Sequence, residues 1–196
     1  MLVEERNLLE QRTEERVSIG ITADGTRPGL IMVPWEQTAH AFNMRRPDIF
    51  ISPEDLLDEQ LMRKIQSFRV IGCYIFVALD DYTFISQFPN IEDIYIRHGE
   101  KLKDLTFLSN LSEWNMLHLE KAHLDNLEPI YESCSKRCYI RLFCLSFSEC
   151  TIHDISALNR VRRIAELVVV GQDSAKERKR WKSVESFSFH YFTTGE

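Results

Sequence analysis

The chain has 196 residues, of which 44% are hydrophobic and 28% are charged, and its formal net charge is −6. This composition is typical of one soluble globular domain, spanning 1–196, and it excludes a largely disordered chain. A negative net charge argues against nucleic acid as the main partner. No stretch approaches the ~18 apolar residues that a membrane span needs.

The location of the protein is predicted from its first residues and its cysteines. The first ten residues contain no apolar run of the kind that a secretory signal requires. Five scattered cysteines fit reduced thiols better than a disulfide framework. We therefore expect a cytoplasmic protein.

Residues 1–45 are predicted to form an N-terminal cap that contains a β-hairpin. Apolar residues alternate at 17–21, and a second apolar run occupies 30–33. The turn-forming segment 24–29 separates the two runs. A short helix is expected at 35–44.

The next segment, 46–67, is interpreted as the first of a series of repeats. Ile49 and Ile51 lie 22 residues before Ile71 and Cys73. Ser52 is a suitable N-cap for a helix that follows, with Pro53 at its first position. The apolar stripe of that helix comprises Leu56, Leu57, Leu61, Met62 and Ile65.

One apolar spacing then recurs along the chain: apolar, two residues, apolar, one residue, apolar. It begins at Phe68, Ile91, Trp114, Leu142 and Ile164. A period in the twenties is typical of stacked units, each of which buries its apolar side against its neighbours.

Two of these units resemble the leucine-rich repeat. Residues 114–124 and 142–152 fit the pattern L-x-x-L-x-L-x-x-N/C-x-L, with Ala122 and Cys150 at the N/C position. The segments that follow, 102–111, 124–130 and 152–161, are similar to the convex half of the short repeats of bacterial internalins. The resemblance implies an α/β solenoid of about six short parallel strands with helical or 3₁₀ returns, over 46–171.

Residues 172–196 are predicted to form a C-terminal cap. A basic run at 176–182 contains Trp181, and 186–192 alternates polar and aromatic residues as a strand does. The basic run could contact phosphates, with Trp181 stacking on a base. Alternatively, Trp181 packs back on the repeats, which is the interpretation we favour.

The candidate binding residues lie on the concave side of the expected strands. Side chains alternate along a strand, so the residues between the core positions point away from the core. In the middle of the sheet these are Tyr74, Tyr95, Arg97, His118 and Glu120. Tyr and Arg are enriched at binding hot spots. If this face is exposed, replacing Tyr95 with Ala costs little stability.

Catalysis, cofactors and metals are not expected. His118 could act as a general base beside Glu120 or Tyr95, but no nucleophile or phosphate-loop motif accompanies it. Cys134 and Cys138 suggest a metal site, yet their spacing does not supply the four ligands of structural zinc. The sequence therefore favours a non-catalytic protein-binding module, for example an inhibitor or an immunity-type protein. The alternatives are a small enzyme and a nucleic-acid-binding accessory protein.

Overall fold

The computed structural model describes residues 16–27, 47–136, 142–161, 164–171, 179–181 and 188–193. Several expectations lie outside this part of the chain. They are the second arm of the hairpin at 30–33, the short helix at 35–44, most of the basic run, and Cys138.

The described residues form a mixed α/β structure around a parallel sheet, as the sequence predicted at this coarser level. The sheet has eight strands in the order β10-β9-β7-β5-β4-β3-β1-β2. They are β1 (Arg16–Ile21), β2 (Ile49–Ile51), β3 (Arg69–Ile75), β4 (Asp93–Ile96), β5 (Met116–Glu120), β7 (Leu142–Ser148), β9 (Ile164–Gly171) and β10 (Ser188–Thr193). Two further strands, β6 (His123–Asn126) and β8 (Thr151–Asp154), pair with each other in a small second parallel sheet.

Short helices connect the strands. In the described ranges, two of these connecting helices are α-helical, α1 (Glu59–Gln66) and α2 (Glu128–Ser135). The others are 3₁₀ helices at Glu54–Leu57, Thr83–Gln87, Thr106–Asn110 and Ser156–Arg160. Where the sequence has extra residues after Trp114, the 3₁₀ turn is replaced by the longer helix α2.

One polar contact recurs at the start of four of these helices. A side-chain oxygen accepts a hydrogen bond from the backbone N–H two residues later, which satisfies a donor that the helix leaves open. The donor–acceptor distances are 2.8 Å for Asp81, 2.8 Å for Asp104, 2.9 Å for Asn126 and 2.8 Å for Asp154. Each of these four helices follows a strand, and the contact that starts it depends only on residues two positions apart in the sequence.

The order of strands in the sheet differs from the expected one at the N-terminal end. β2 does not lie beside β3, because β1 is inserted between them and pairs in parallel with both. Residues 19–21 of β1 are paired on both sides, so a second hairpin strand cannot pair with them. At the other end β10, which was expected as a strand of the C-terminal cap, extends the main sheet beside β9.

The core lies on one side of the sheet, which we call the core face. Equivalent residues of successive strands stand side by side there: Ile75, Ile96, Leu119, Phe147 and Val169. Each is at most 5% exposed. The expected register is confirmed from β4 to β9.

In β3 the register prediction is wrong by two residues. Cys73 and Ile75, not Ile71 and Cys73, stand opposite Ile94 and Ile96. The pairing of β3 with β1 is irregular next to Ile71, where β3 contains one residue more than β1. Because the error is an even number of residues, every side chain of β3 from Gly72 onward keeps its predicted face.

The helix predicted after Ser52 is also divided. Ser52 Oγ accepts a hydrogen bond from the backbone N–H of Asp55 at 3.2 Å, and Asp55 Oδ2 accepts one from the backbone N–H of Ser52 at 2.9 Å. The helical turn that these two residues start ends at Leu57. Asp58 is extended and begins α1 by accepting hydrogen bonds from the next turn at 3.0 and 3.1 Å. Leu57 is consequently 84% exposed rather than part of the apolar stripe.

Leu117→Ala and Leu145→Ala are each expected to lower the free energy of unfolding by about 2–5 kcal/mol. Both side chains belong to the core, with exposures of 1% and 0%. Truncation leaves a cavity that the rigid sheet cannot fill. Urea denaturation followed by circular dichroism measures the change. Losses below about 1 kcal/mol in both variants would be inconsistent with this core.

Glu149→Gly is expected to stabilise the protein by up to about 1 kcal/mol. Glu149 lies between β7 and β8 with φ 53°, a left-handed conformation that favours glycine. Its side chain is exposed, so little packing is lost. Glu132→Gly, at an exposed position within α2, is the matched control and should cost about 1 kcal/mol. Equal losses in the two variants would contradict the assigned backbone.

Candidate functional site

The candidate residues lie on the side of the sheet opposite the core, which we call the second face. Tyr74, Tyr95 and His118 are direct neighbours on β3, β4 and β5. Ser146 and Val168 continue the same row on β7 and β9. The alternation of side chains therefore placed these residues on the correct face.

The expectation that this face is exposed is wrong at four of the five positions. Tyr74 and Tyr95 are each 1% exposed, Glu120 is 7% exposed and His118 is 8% exposed. The side chain of Arg97 is the exception, at 39%. Alternation indicates which face a residue occupies, but it does not indicate whether that face is covered.

Three of the predicted residues, Tyr95, His118 and Arg97, converge on the carboxylate of a fourth, Glu120. Tyr95 Oη donates a hydrogen bond to Glu120 Oε1 over 3.1 Å, and His118 Nε2 lies 3.4 Å from the same oxygen. Arg97 Nε is 3.9 Å from Glu120 Oε2. We call these residues, Tyr95, Arg97, His118 and Glu120, the Glu120 cluster.

Aromatic packing fixes the geometry of the Glu120 cluster. The rings of Tyr95 and His118 stack with centroids 5.0 Å apart, and the ring of Phe76 packs against Tyr95 at 5.7 Å. Stacked rings hold both polar groups against the carboxylate. Phe76 was not among the candidates, because it follows the last residue of β3 and belongs to no repeated spacing.

Tyr74 packs beside the cluster and depends on a neighbouring glycine. A Cβ atom on Gly72 would lie 2.7 Å from a ring carbon of Tyr74 and 2.7 Å from Ser18 Oγ. The ring therefore occupies space that only glycine leaves open. Glycine inside a strand is the sequence signal for such a close approach.

Burial changes the proton affinity of two members of the cluster. Desolvation lowers the pKa of His118, and the nearby Glu120 carboxylate opposes this effect only in part. Desolvation also raises the pKa of Tyr95, and Glu120 adds to that shift. At neutral pH the cluster thus contains an uncharged imidazole and a protonated phenol.

Acid is expected to destabilise the protein in part through His118. Its pKa is lowered in the folded state, so below the ordinary value of about 6.5 the unfolded chain binds more protons. The free energy of unfolding should therefore fall as the pH drops through that value. His118→Gln should reduce this fall, measured by urea denaturation between pH 7.5 and 5. The control is His123→Gln, at an exposed position of β6, and equal pH profiles for the two variants would refute the assignment.

Cys150 occupies the position at which the repeat pattern has Asn or Cys. Its sulfur lies 3.4 Å from the carbonyl oxygen of Leu119 and 3.3 Å from that of Ser148, so its single S–H can be donated to either of them. Burial raises the pKa of Cys150 to about 12. The residue therefore acts as a weak donor in the turn and is not a reactive thiolate.

A metal centre was not expected. Within the described ranges, no three His, Cys, Asp or Glu side chains are grouped so that they could hold an ion. Cys134 lies on α2 and is partly buried against the core.

Trp181 packs back on the sheet and is only 4% exposed. Its ring stacks on Phe147 of β7 with centroids 5.5 Å apart. The neighbouring Arg180 donates to the carbonyl oxygens of Ile152 and His153, the latter at 2.7 Å. In this position the Trp181 ring cannot stack on a base as the nucleic-acid alternative requires.

Comparison with known proteins adds no assignment. No family model matches the chain, and no curated protein matches it either. Among the described residues, none of the helices has the length and apolar character needed to cross a membrane.

Proposed function

We propose that the chain is a non-catalytic protein-binding module of the cytoplasm, built from stacked units of the leucine-rich-repeat kind. Three features support this architecture. Successive strands from β3 to β9 follow the chain order in the main sheet. Four helices are preceded by the same side-chain contact to the first helical N–H, made by Asp81, Asp104, Asn126 and Asp154. Cys150 also forms turn bonds at the repeat position where the pattern allows Asn or Cys.

The partner is proposed to contact the second face at Arg97. This choice rests on the different exposure of two side chains in the Glu120 cluster. The Arg97 side chain is 39% exposed, whereas the Glu120 side chain beneath it is 9% exposed. An arginine directed from below by a buried carboxylate loses less conformational freedom on binding than a free surface arginine does.

The other predicted binding residues then have supporting roles. Tyr95 and His118 fix the position of Glu120, and Glu120 directs Arg97. Tyr74 packs beside them and maintains the shape of the face. In its more specific form, the proposal is that the protein is an inhibitor or an immunity-type protein, since a rigid recognition surface favours tight binding of one partner.

A capture experiment tests the proposal. The tagged protein is incubated with lysate of its native cell, with and without nuclease treatment, beside the variants Arg97→Ala and Arg69→Ala. Arg69 is a matched control, because it is 47% exposed and pairs with Glu113 at 2.9 Å. We expect one protein to be retained by the wild type and by Arg69→Ala and lost by Arg97→Ala. Equal retention by all three would place the site elsewhere, and retention that nuclease abolishes would favour nucleic acid.

An acid–base enzyme is the second candidate, because His118 Nε2 lies 3.4 Å from a buried carboxylate oxygen. The stacking of His118 on Tyr95 and its burial restrict the access of a substrate to that nitrogen. Any turnover found in an activity screen should be abolished by His118→Gln if this candidate is correct. Turnover that survives in a folded His118→Gln variant would exclude the cluster as its source.

A further inference from the structure

The Glu120 carboxylate has one buried partner, His118, and one exposed partner, Arg97. Oε1 faces His118 Nε2 at 3.4 Å, within the buried part of the cluster. Oε2 faces Arg97 Nε at 3.9 Å, at the exposed end. The second distance, 3.9 Å, is that of an ion pair without a close hydrogen bond, so the orientation of Arg97 depends on the charge that the carboxylate presents.

We infer that protonation of His118 releases Arg97 from Glu120, so that the exposed guanidinium is directed at neutral pH and becomes free in acid. A charged imidazolium beside Oε1 forms a shorter, charge-assisted hydrogen bond with the carboxylate. It also neutralises the charge that attracts Arg97. The Arg97 guanidinium then loses its contact with Glu120 and is hydrated instead. The free-energy cost of this exchange is small because the Arg97 side chain is already exposed.

The described groups that face His118 in the sheet come from three strands. From β4 there is Tyr95, and from β5 there is Glu120, which Arg97 approaches from the residue just after β4. On β7 its direct neighbour is Ser146, which does not titrate. Cys144, two residues earlier on β7, has a pKa raised by burial and remains neutral. Within the described residues, Glu120 is thus the anion closest to His118, and a proton on the imidazole acts on it first.

The test uses the isolated protein, so it is independent of any partner. The Arg97 Nε–Hε and His118 ring signals are followed by NMR from pH 8 to pH 4. We expect the Arg97 signal to shift, and its side-chain mobility to rise, with the midpoint of the His118 titration. In His118→Gln this transition should disappear while the methyl signals of Leu117 and Leu145 stay in place. An Arg97 transition that persists in His118→Gln would assign it to protonation of Glu120 alone and overturn the inference.

A second variant covers the case in which His118→Gln does not fold. Coupling between two sites is reciprocal, so removal of the Arg97 charge must alter the proton affinity of His118. Arg97→Ala is expected to raise the pKa of His118, because a positive charge beside the shared carboxylate is removed. Arg69→Ala should leave it unchanged. An unaltered His118 titration in Arg97→Ala would show that the two groups are not coupled.

Discussion

Trp114→Ala is expected to lower the free energy of unfolding by about 3–5 kcal/mol. Trp114 has 0% exposure and lies in the core just before β5. Its indole Nε1 donates a hydrogen bond to Ser133 Oγ over 2.9 Å, and Ser133 Oγ donates to the carbonyl oxygen of Leu108 over 2.9 Å. The side chain therefore connects the sheet to two successive return helices.

Urea denaturation measures this loss, and Ser133→Ala separates its two causes. Without the Ser133 hydroxyl, the buried indole N–H and the Leu108 carbonyl lose a common partner, at a cost of about 1–3 kcal/mol. Trp114→Ala should cost more, since it also removes the largest fully buried side chain of the core. A Trp114→Ala variant as stable as the wild type would mean that α2 does not pack as described.

Tyr95→Ala is expected to lower the free energy of unfolding by about 3–5 kcal/mol. This differs from the sequence-based expectation of a small effect, which assumed an exposed face. The ring is 1% exposed and lies between Phe76 and His118. The truncation creates a cavity and also removes the hydrogen bond to the buried carboxylate of Glu120.

Tyr95→Phe is the control that keeps the ring and removes the hydroxyl. It should cost about 1–3 kcal/mol, because Glu120 Oε1 loses a donor in a buried position. The order of stability expected in urea denaturation is wild type, Tyr95→Phe, then Tyr95→Ala. A loss of unfolding free energy below about 1 kcal/mol for Tyr95→Ala would contradict the buried position of Tyr95 and support the exposed face expected from the sequence.

The sequence predicts the features that depend on local patterns. Alternation places Ile94, Ile96, Leu117 and Leu119 on the core face, and it places Tyr95 and His118 opposite. The helix starts at Asp81 and Asp104 were not predicted, although their contacts join residues only two apart and were therefore accessible to a local pattern.

Other features depend on contacts between distant segments. Ile19 and Ile21 alternate in the same way whether β1 pairs in a hairpin or enters the sheet between β2 and β3. The irregular pairing next to Ile71 is equally invisible, because Val70 and Ile71 are both apolar. The burial of Tyr74 and Tyr95 depends on what lies over the second face, and side-chain spacing carries no information about that.

The convergence of the cluster was predictable in part. Equivalent positions on β4 and β5 bring Tyr95 beside His118, and the period alone predicts this neighbourhood. The role of Glu120 as a shared acceptor was not predictable. It requires that the carboxylate turn back toward Tyr95 and His118, whereas the sequence equally allows a solvated pair with Arg97.

The most direct test of the proposed function is the affinity of the captured partner for three purified proteins, measured by calorimetry. These are the wild type, Arg97→Ala and the matched control Arg69→Ala. We expect Arg97→Ala to weaken binding by at least about tenfold, as loss of a hot-spot arginine does, and Arg69→Ala to bind like the wild type. Equal affinities for all three proteins would contradict it, since the exposed end of the Glu120 cluster would then have no part in recognition.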